Sequence, residues 1–242
     1  MKIITYISPS FLKSTFMDLK KVILLAGILF FSFSTQAQRR IWDGEYNRLG
    51  LQGGVNHFNI ITDDLQVTPK LSWTAGFTTR ASFYEDFQFV YGINFYDFNV
   101  DIEGRQKIET TTADTQIEYN MIGVQGNFFA SYKLLDHYLS VEAGPVVQVN
   151  GKLEARQDKE LYYVGNYNLN AIDLENVSTF NFNLAVGLSG GWETVKFWAQ
   201  YQYGLNNFLK GLDDEGLQEI DPSTPSFKGN MSIIAGGITF YL

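Results

Sequence analysis

Few side chains in this sequence could do chemistry, and their spacing decides how much. There are two histidines, His57 and His137, and no cysteine. A tightly held transition metal needs three or four convergent ligands, which two widely separated histidines do not supply. No H-E-x-x-H spacing occurs, and no Ser-His-acid set can be assembled with any specificity. The missing cysteines remove disulfides, thiolate ligands, thiol nucleophiles and a lipidated cysteine anchor. Carboxylates gather at Asp213, Asp214, Glu215, Glu219 and Asp221, and again at Asp63 and Asp64. Hard cations favour such oxygens, but the spacing departs from a calcium-binding D-x-[DN]-x-[DN]-G loop. A solvated acidic loop is the reading adopted, with calcium left undecided. The expectation is a protein that is not an enzyme, with no catalytic residue, cofactor or metal ligand to assign. Arg80 and Glu142 remain, and their meaning depends on which way they point.

Direction comes from alternation. Side chains along a strand point to opposite faces in turn. Eight stretches alternate in this way: 48–59, 71–83, 87–100, 117–132, 138–150, 178–192, 196–206 and 230–242. In 71–83, Trp73, Ala75, Phe77, Thr79, Ala81 and Phe83 alternate with Ser72, Thr74, Gly76, Thr78, Arg80 and Ser82. In 230–242, Ile234, Gly236, Ile238, Phe240 and Leu242 form an apolar face, and Thr239 and Tyr241 lie on a face of smaller or weakly polar residues. Proline cannot donate to a ladder, so a bend or bulge is expected at Gly144-Pro145. An open apolar edge invites aggregation, and closing the sheet on itself removes the edge. The fold class expected is all-β: an eight-stranded antiparallel up-and-down transmembrane β-barrel, apolar row towards lipid.

The connections agree. Those after the first, third, fifth and seventh stretches are long and polar, and the others are a few residues. Membrane barrels pair short periplasmic turns with long outer loops, which puts both termini on the periplasmic side in the outer membrane. The apolar run 22–33 is too short to span a bilayer as a helix. It follows Lys20-Lys21 and precedes Thr35-Gln36-Ala37, the layout of a secretory leader. A signal peptide over 1–37, with Met17 a plausible true start, and a barrel domain over 38–242 are expected. Tyr84, Tyr132, Tyr138, Trp192 and Tyr241, with Phe87 and Phe197, collect near the short turns and are expected to form a periplasmic aromatic girdle.

By parity Arg80 and Glu142 both face the interior at similar height, with Gln125, Asn127 and Lys133 nearby. A buried arginine needs an acidic partner, so an interior ion pair is expected. Eight-stranded barrels are narrow and filled by side chains, which favours a polar plug over a gated solute path. A net charge of −8 argues against a nucleic-acid partner.

Four segments carry a family resemblance: L-G-L-Q-G-G-V-N over 49–56, L-S-V-E-A-G-P-V-V over 139–147, Y-Q-Y-G-L-N-N over 201–207 and G-G-I-T-F-Y-L over 236–242. As a set they resemble the PorT-like outer-membrane β-barrel family of Bacteroidetes, over essentially the mature chain. The resemblance implies a barrel in the outer membrane. Through the family's founding member it implies a link to type IX protein secretion, although no secretion-specific residue maps onto this chain. The closing Phe240, Tyr241 and Leu242 look like the segment read by the barrel assembly machinery. The function expected is a structural or accessory outer-membrane component. Its partners would be outer-membrane lipid, that machinery, and a protein met through the long loops or the periplasmic face. The alternatives are a narrow pore or lipid-modifying enzyme, and a soluble lipocalin-like carrier.

Overall fold

The computed structural model describes residues 47–242 except Tyr84, Glu109, Thr110, Asp136 and His137. The leader expected over 1–37, and the first residues of the domain expected over 38–242, lie outside the described residues. Eight long strands make up the sheet: β1 (Arg48–Ile61), β2 (Leu71–Ala81), β3 (Phe87–Ile108), β4 (Thr111–Leu135), β5 (Leu139–Asn150), β6 (Phe180–Gly191), β7 (Val195–Gly204) and β8 (Asn230–Tyr241). Each pairs antiparallel with the next. The ring closes where β8 returns to β1, from Gly50↔Tyr241 to Ile61↔Asn230. Every ring strand therefore has two neighbours, which is an up-and-down barrel with no free edge. At the closing seam Gly54 faces Gly237. A Cβ on Gly54 would fall 2.2 Å from the Gly236 carbonyl oxygen, and one on Gly237 2.2 Å from that of Gly53. Only bare backbone fits on both sides.

The alternation sorts polarity across the wall. Trp73, Phe77, Phe182 and Tyr201 face outward and are exposed, whereas Thr78, Arg80, Gln125, Asn181 and Gln202 face inward and are buried. Along β3 and β4 the sorting then reverses. On β3 the outward row runs Phe89, Tyr91, Ile93 and Phe95 and then Asp97 and Asn99, while the inward row changes from Gln88 and Asn94 to Tyr96, Phe98 and Val100. On β4 the outward row changes from Val124 and Ile122 to Asn120 and Glu118, and the inward row from Gln125 to Met121, Tyr119 and Ile117. The two switches lie at one height, because Asp97 pairs with Ile122 and Asn99 with Asn120. Below it the barrel is oily outside and wet inside; above it the hairpin is polar outside and oily inside, like a soluble protein.

The part above the switch corrects several sequence readings. The polar connection expected over 101–116 is instead the continuation of β3 and β4, paired down to Ile108↔Thr111. The long stretches 151–177 and 207–227 are packed, not solvated. They carry short strands at Glu154–Ala155 and Tyr163–Val164, single-turn helices, and the helical turn Phe208–Glu215. Leu153, Leu169, Leu174, Phe208, Leu212 and Phe227 from these loops join Phe58, Phe98 and Ile233 of the strands in one buried cluster. Phe58 meets Phe98 at 4.9 Å and Phe208 at 5.8 Å between ring centroids. This cap closes the long-loop end with an apolar core.

Two local readings also change. The β4–β5 ladder keeps its register on both sides of Gly144-Pro145 and slips between Lys133 and Leu135 instead. The proline leaves a gap in the ladder, as its missing N–H requires, without shifting it. Phe83, expected on the outward face, is buried. Ser82 takes a left-handed backbone, φ 55°, which breaks the parity of β2 and turns Phe83 inward beneath Arg48, whose guanidinium carbon lies 4.4 Å from the ring centre.

Candidate functional site: a filled lumen beneath a packed cap

The interior below the cap is built in layers. At the short-turn end β2 points Arg80 across the barrel, where it is 1% exposed. Its guanidinium donates to the Tyr241 hydroxyl (3.2 Å), Gln88 Oε1 (2.7 Å), Ser131 Oγ (2.9 Å) and Ser189 Oγ (3.1 Å), and forms an ion pair with Glu142. Ser131 and Ser189 in turn donate to Glu142 Oε1. Six side chains from β2, β3, β4, β5, β6 and β8 thus share one network, and a guanidinium with its five donors is the group suited to span them. Lys133 and Lys196 are buried at the same end.

Of the residues expected near the Arg80 pair, Asn127 lines one cavity with Arg80 and Glu142, and both it and Gln125 make their hydrogen bonds in the layers above. Asn127 Oδ1 accepts from Asn94 Nδ2 (3.0 Å), and Asn94 accepts from Gln52 of β1. Gln125 donates to Gln148 (2.8 Å) and accepts from Gln202 (3.0 Å). Asn181 continues the stack, donating to Asn150 (2.8 Å) and accepting from Asn206 (2.8 Å). The reason is stagger: strands tilt in a barrel, so residues a few positions along β4 rise a full layer. Among these layers lies a cavity of about 30 Å³, room enough for ordered water, lined by Gln52, Arg80, Glu142, Lys196, Trp198 and neighbours.

Of the expected girdle, Tyr132, Tyr138 and Trp192 face outward and are exposed near the short turns, with Phe87 and Phe197. Tyr84 lies outside the described residues. Tyr241 does not belong with them: it is 4% exposed, inside the barrel, its ring 6.1 Å from that of Phe83. Its parity, shared with Thr239, already placed it inward. Of the other closing residues, Phe240 and Leu242 face outward, and the Leu242 N–H donates to Leu49 O (2.8 Å).

Four of the carboxylates considered for calcium serve as struts. Asp64 Oδ2 accepts from the Lys228 N–H (3.0 Å), Asp213 from Ser226 Oγ (2.9 Å), and Glu215 from Asn176. Asp221 accepts from the Asn168 N–H (2.9 Å) and from Ser223. The Asn168 N–H, then Ser223, hold the Asp221 carboxyl below the usual carboxylate range. Among the described residues no group of three His, Cys, Asp or Glu could hold a metal. Gly187-Leu188-Ser189-Gly190-Gly191 spells the G-x-S-x-G of a nucleophile elbow, but Ser189 sits within β6 and its Oγ binds Arg80 and Glu142. The elbow chemistry requires a strand-to-helix turn and a neighbouring base.

Sequence reasoning missed one group of residues outright. Asn99 Nδ2 donates to Asp97 Oδ2 (2.7 Å) and Ser72 Oγ (3.0 Å), and Asn120 Nδ2 to Asp97 Oδ1 (2.6 Å) and Asn99 Oδ1 (2.9 Å). This cluster marks the height at which the outer face turns polar. The signal was present in the sequence as the reversal of alternation after Phe95.

No family model and no curated protein matches this sequence. Solved structures of similar shape include neisserial surface protein A, at 11% identity and TM-score 0.39, covering 79% of this chain and 96% of that one. The outer membrane protein OprG from Pseudomonas aeruginosa is 10% identical with TM-score 0.42, covering 82% and 97%. Ail, the attachment invasion locus protein of Yersinia pestis, solved with the heparin analogue sucrose octasulfate, is 8% identical with TM-score 0.40, covering 80% and 99%. The eight-strand ring described above rests on the pairing registers of this chain.

Proposed function

We propose that this chain is an integral outer-membrane barrel that works as a structural or accessory component through its lipid-facing wall and its capped end, and that it is neither an enzyme nor a pore. The observation that carries the membrane part is the polarity switch at Asp97 and Asn120. A soluble barrel has no reason to be oily outside and wet inside over one band and the reverse over the next. A bilayer edge at that height supplies the reason, since lipid accepts Phe95 and Ile122 and headgroup water accepts Asp97 and Asn120. The apolar outward row of β4 runs from Ile122 to Tyr132. At about 3.4 Å per residue and a tilt of about 40° it covers about 25 Å of height, the thickness of an outer-membrane apolar band. In this reading the short turns and both termini are periplasmic.

The plug reading is supported by the filled layers and the small size of the cavity beside Arg80, because a conducted ion needs a continuous wet path. Lipid contact and recognition of the closing Phe240 and Leu242 by the assembly machinery follow from the same wall. A link to protein secretion rests on the PorT-like resemblance alone. Photoreactive lipid labelling of the folded protein tests the membrane assignment. Labels are expected at Phe182 and Tyr201, with Asn99 and Asn120 spared; labelling of Asn183 and Gln200, or recovery in a soluble periplasmic fraction, would reverse inside and outside. Planar-bilayer recording should give a sealed trace, and stepwise conductance would reject the plug. For the accessory role, affinity purification from detergent-solubilised outer membranes should return a stoichiometric protein partner, and recovery of the chain alone would count against it.

A further inference from the structure

The outward face of the ring is not even. Between β2 and β3 lies a groove of about 500 Å³, lined by Phe77, Thr79, Tyr91, Ile93 and Phe95, with the backbone of Gly92 among its walls. Its cause is a mismatch of size along the ladder. Thr79 pairs with Tyr91 and Ala75 with Phe95, a short side chain beside a long one each time, and Phe77 stands between them opposite Ile93. One side of the groove is set before anything binds. The Tyr91 ring stacks on Phe128 of β4, 6.5 Å between centroids and 22° between planes, and Phe128 stacks on Phe89 at 5.4 Å. A wall that needs no rearrangement holds a ligand at less entropic cost.

Shape and place say what fits. The lining comes from two adjacent strands, which run about 4.8 Å apart, so the groove is about as wide as one extended chain. An α-helix with its side chains is about 10–12 Å across and does not enter. The lining is apolar apart from the Thr79 and Tyr91 hydroxyls, so it does not serve the backbone N–H and C=O groups of an extended peptide. From Phe95 to Tyr91 is four residues of β3, about 14 Å along the strand and about 10 Å in height at a tilt of about 40°. That is most of one leaflet of an apolar band about 25 Å tall, and the upper end opens just below Asp97, at the polarity switch. We propose that this groove holds one acyl chain of a lipid from the leaflet on the capped side, tightly enough to stay with the protein when detergent strips the rest of the bilayer. The ester end of that lipid lies at the level of Trp73 and Asp97, where an indole suits the interface. The groove adds to the membrane reading and rests on it: most of the wall is solvated by lipid, and this strand pair retains one.

The test counts lipid on the intact protein. Folded protein, freed of native lipid in detergent, is offered dipalmitoyl phosphatidylethanolamine in mixed micelles and weighed by native mass spectrometry. Wild type should keep one lipid under activation that removes the detergent, and added palmitate should compete for the same place. Failure of palmitate to compete would move recognition to the headgroup and overturn the chain assignment. Thr79→Trp fills the groove and should lose the lipid, whereas Val186→Trp, at an exposed position on β6, should keep it. Tyr91→Ala removes the stacked side and should lower retention. Heat-modifiable gel mobility confirms that each variant is folded, and Ile93→Trp, at an outward side chain that is already large, makes the same test should Thr79→Trp not fold. A wild type that keeps no lipid, or groove-filling variants that keep as much as wild type, would refute the site. Lipid labelling of the wall would then still stand and the membrane reading with it, whereas recovery as a soluble protein would remove both.

Discussion

Replacing Arg80 by methionine, similar in length but uncharged, tests whether the lower lumen stands as one unit. The guanidinium reaches Gln88, Ser131, Ser189, Tyr241 and Glu142. Its loss leaves the Gln88 acceptor unmet, at about 1–3 kcal/mol, while the two serines keep Glu142 as their own acceptor. The larger effect is on Glu142, because removing one partner of a buried ion pair costs about 3–5 kcal/mol. Lys196 sits close enough to take over part of that role, so Arg80→Met should cost about 3 kcal/mol, the lower end of that range. Arg80→Met with Glu142→Met removes both charges and should recover at least about 2 kcal/mol of the summed single effects, as coupled neighbours do. Urea unfolding in detergent micelles, followed by tryptophan emission and by heat-modifiable gel mobility, measures each corner of the cycle. A single-variant loss below about 0.5 kcal/mol, or two losses that simply add, would show that the network is not a unit.

Other outcomes follow from the seam, the cap and its acid strut. Gly54→Val places a side chain against the Gly236 carbonyl and should abolish the heat-modifiable folded form, whereas Gly126→Ala, with nothing within 4 Å of its Cβ position, should fold like wild type. Phe208→Ala empties a fully buried site in the cap, a change that costs about 3–5 kcal/mol in such cores. Limited proteolysis should then cut within 151–177 or 207–227 while the ring strands stay resistant. Asp221 has its folded-state value below the unfolded one, so it stabilises the cap above about pH 4 and that contribution is lost as pH falls through the folded value. Amide exchange at Asn168, corrected for the intrinsic acid rate, should rise on acidification more than exchange in the ring strands, and Asp221→Ala should show the raised rate already at neutral pH.

Strand existence and facing were legible because each ring strand turns one row of side chains outward and the next inward, and Trp73 to Ala81 alternates without exception. The inward direction of Arg80 and Glu142 followed from the same parity. The cap was not legible, since its apolar residues, Phe208, Leu209, Leu212 and Leu217, are interleaved with Asp213, Asp214 and Glu215 and never form a period-2 run. Acidic spacing dominated the composition while the leucines supplied the fold. The extension of β3 and β4 through 101–116 was missed for a different reason: past Phe95 the alternation changes sign, and the polar residues that then line the outer face make 101–116 read as a connection. Phe83 escaped because one left-handed residue, Ser82, breaks the parity, and nothing in Ala81-Ser82-Phe83 marks it. The layer heights of Gln125 and Asn127 depend on strand stagger, which single-strand patterns do not carry.

If the long connections face outward as proposed, the buried apolar cluster they share has an immunological consequence. Antibodies, phages or other visitors arriving at that end would meet a faceted knob whose epitopes are assembled from distant parts of the chain. Sera raised against isolated loop peptides should bind the boiled protein far better than the native one, and neutralising binders should be sought with the intact fold.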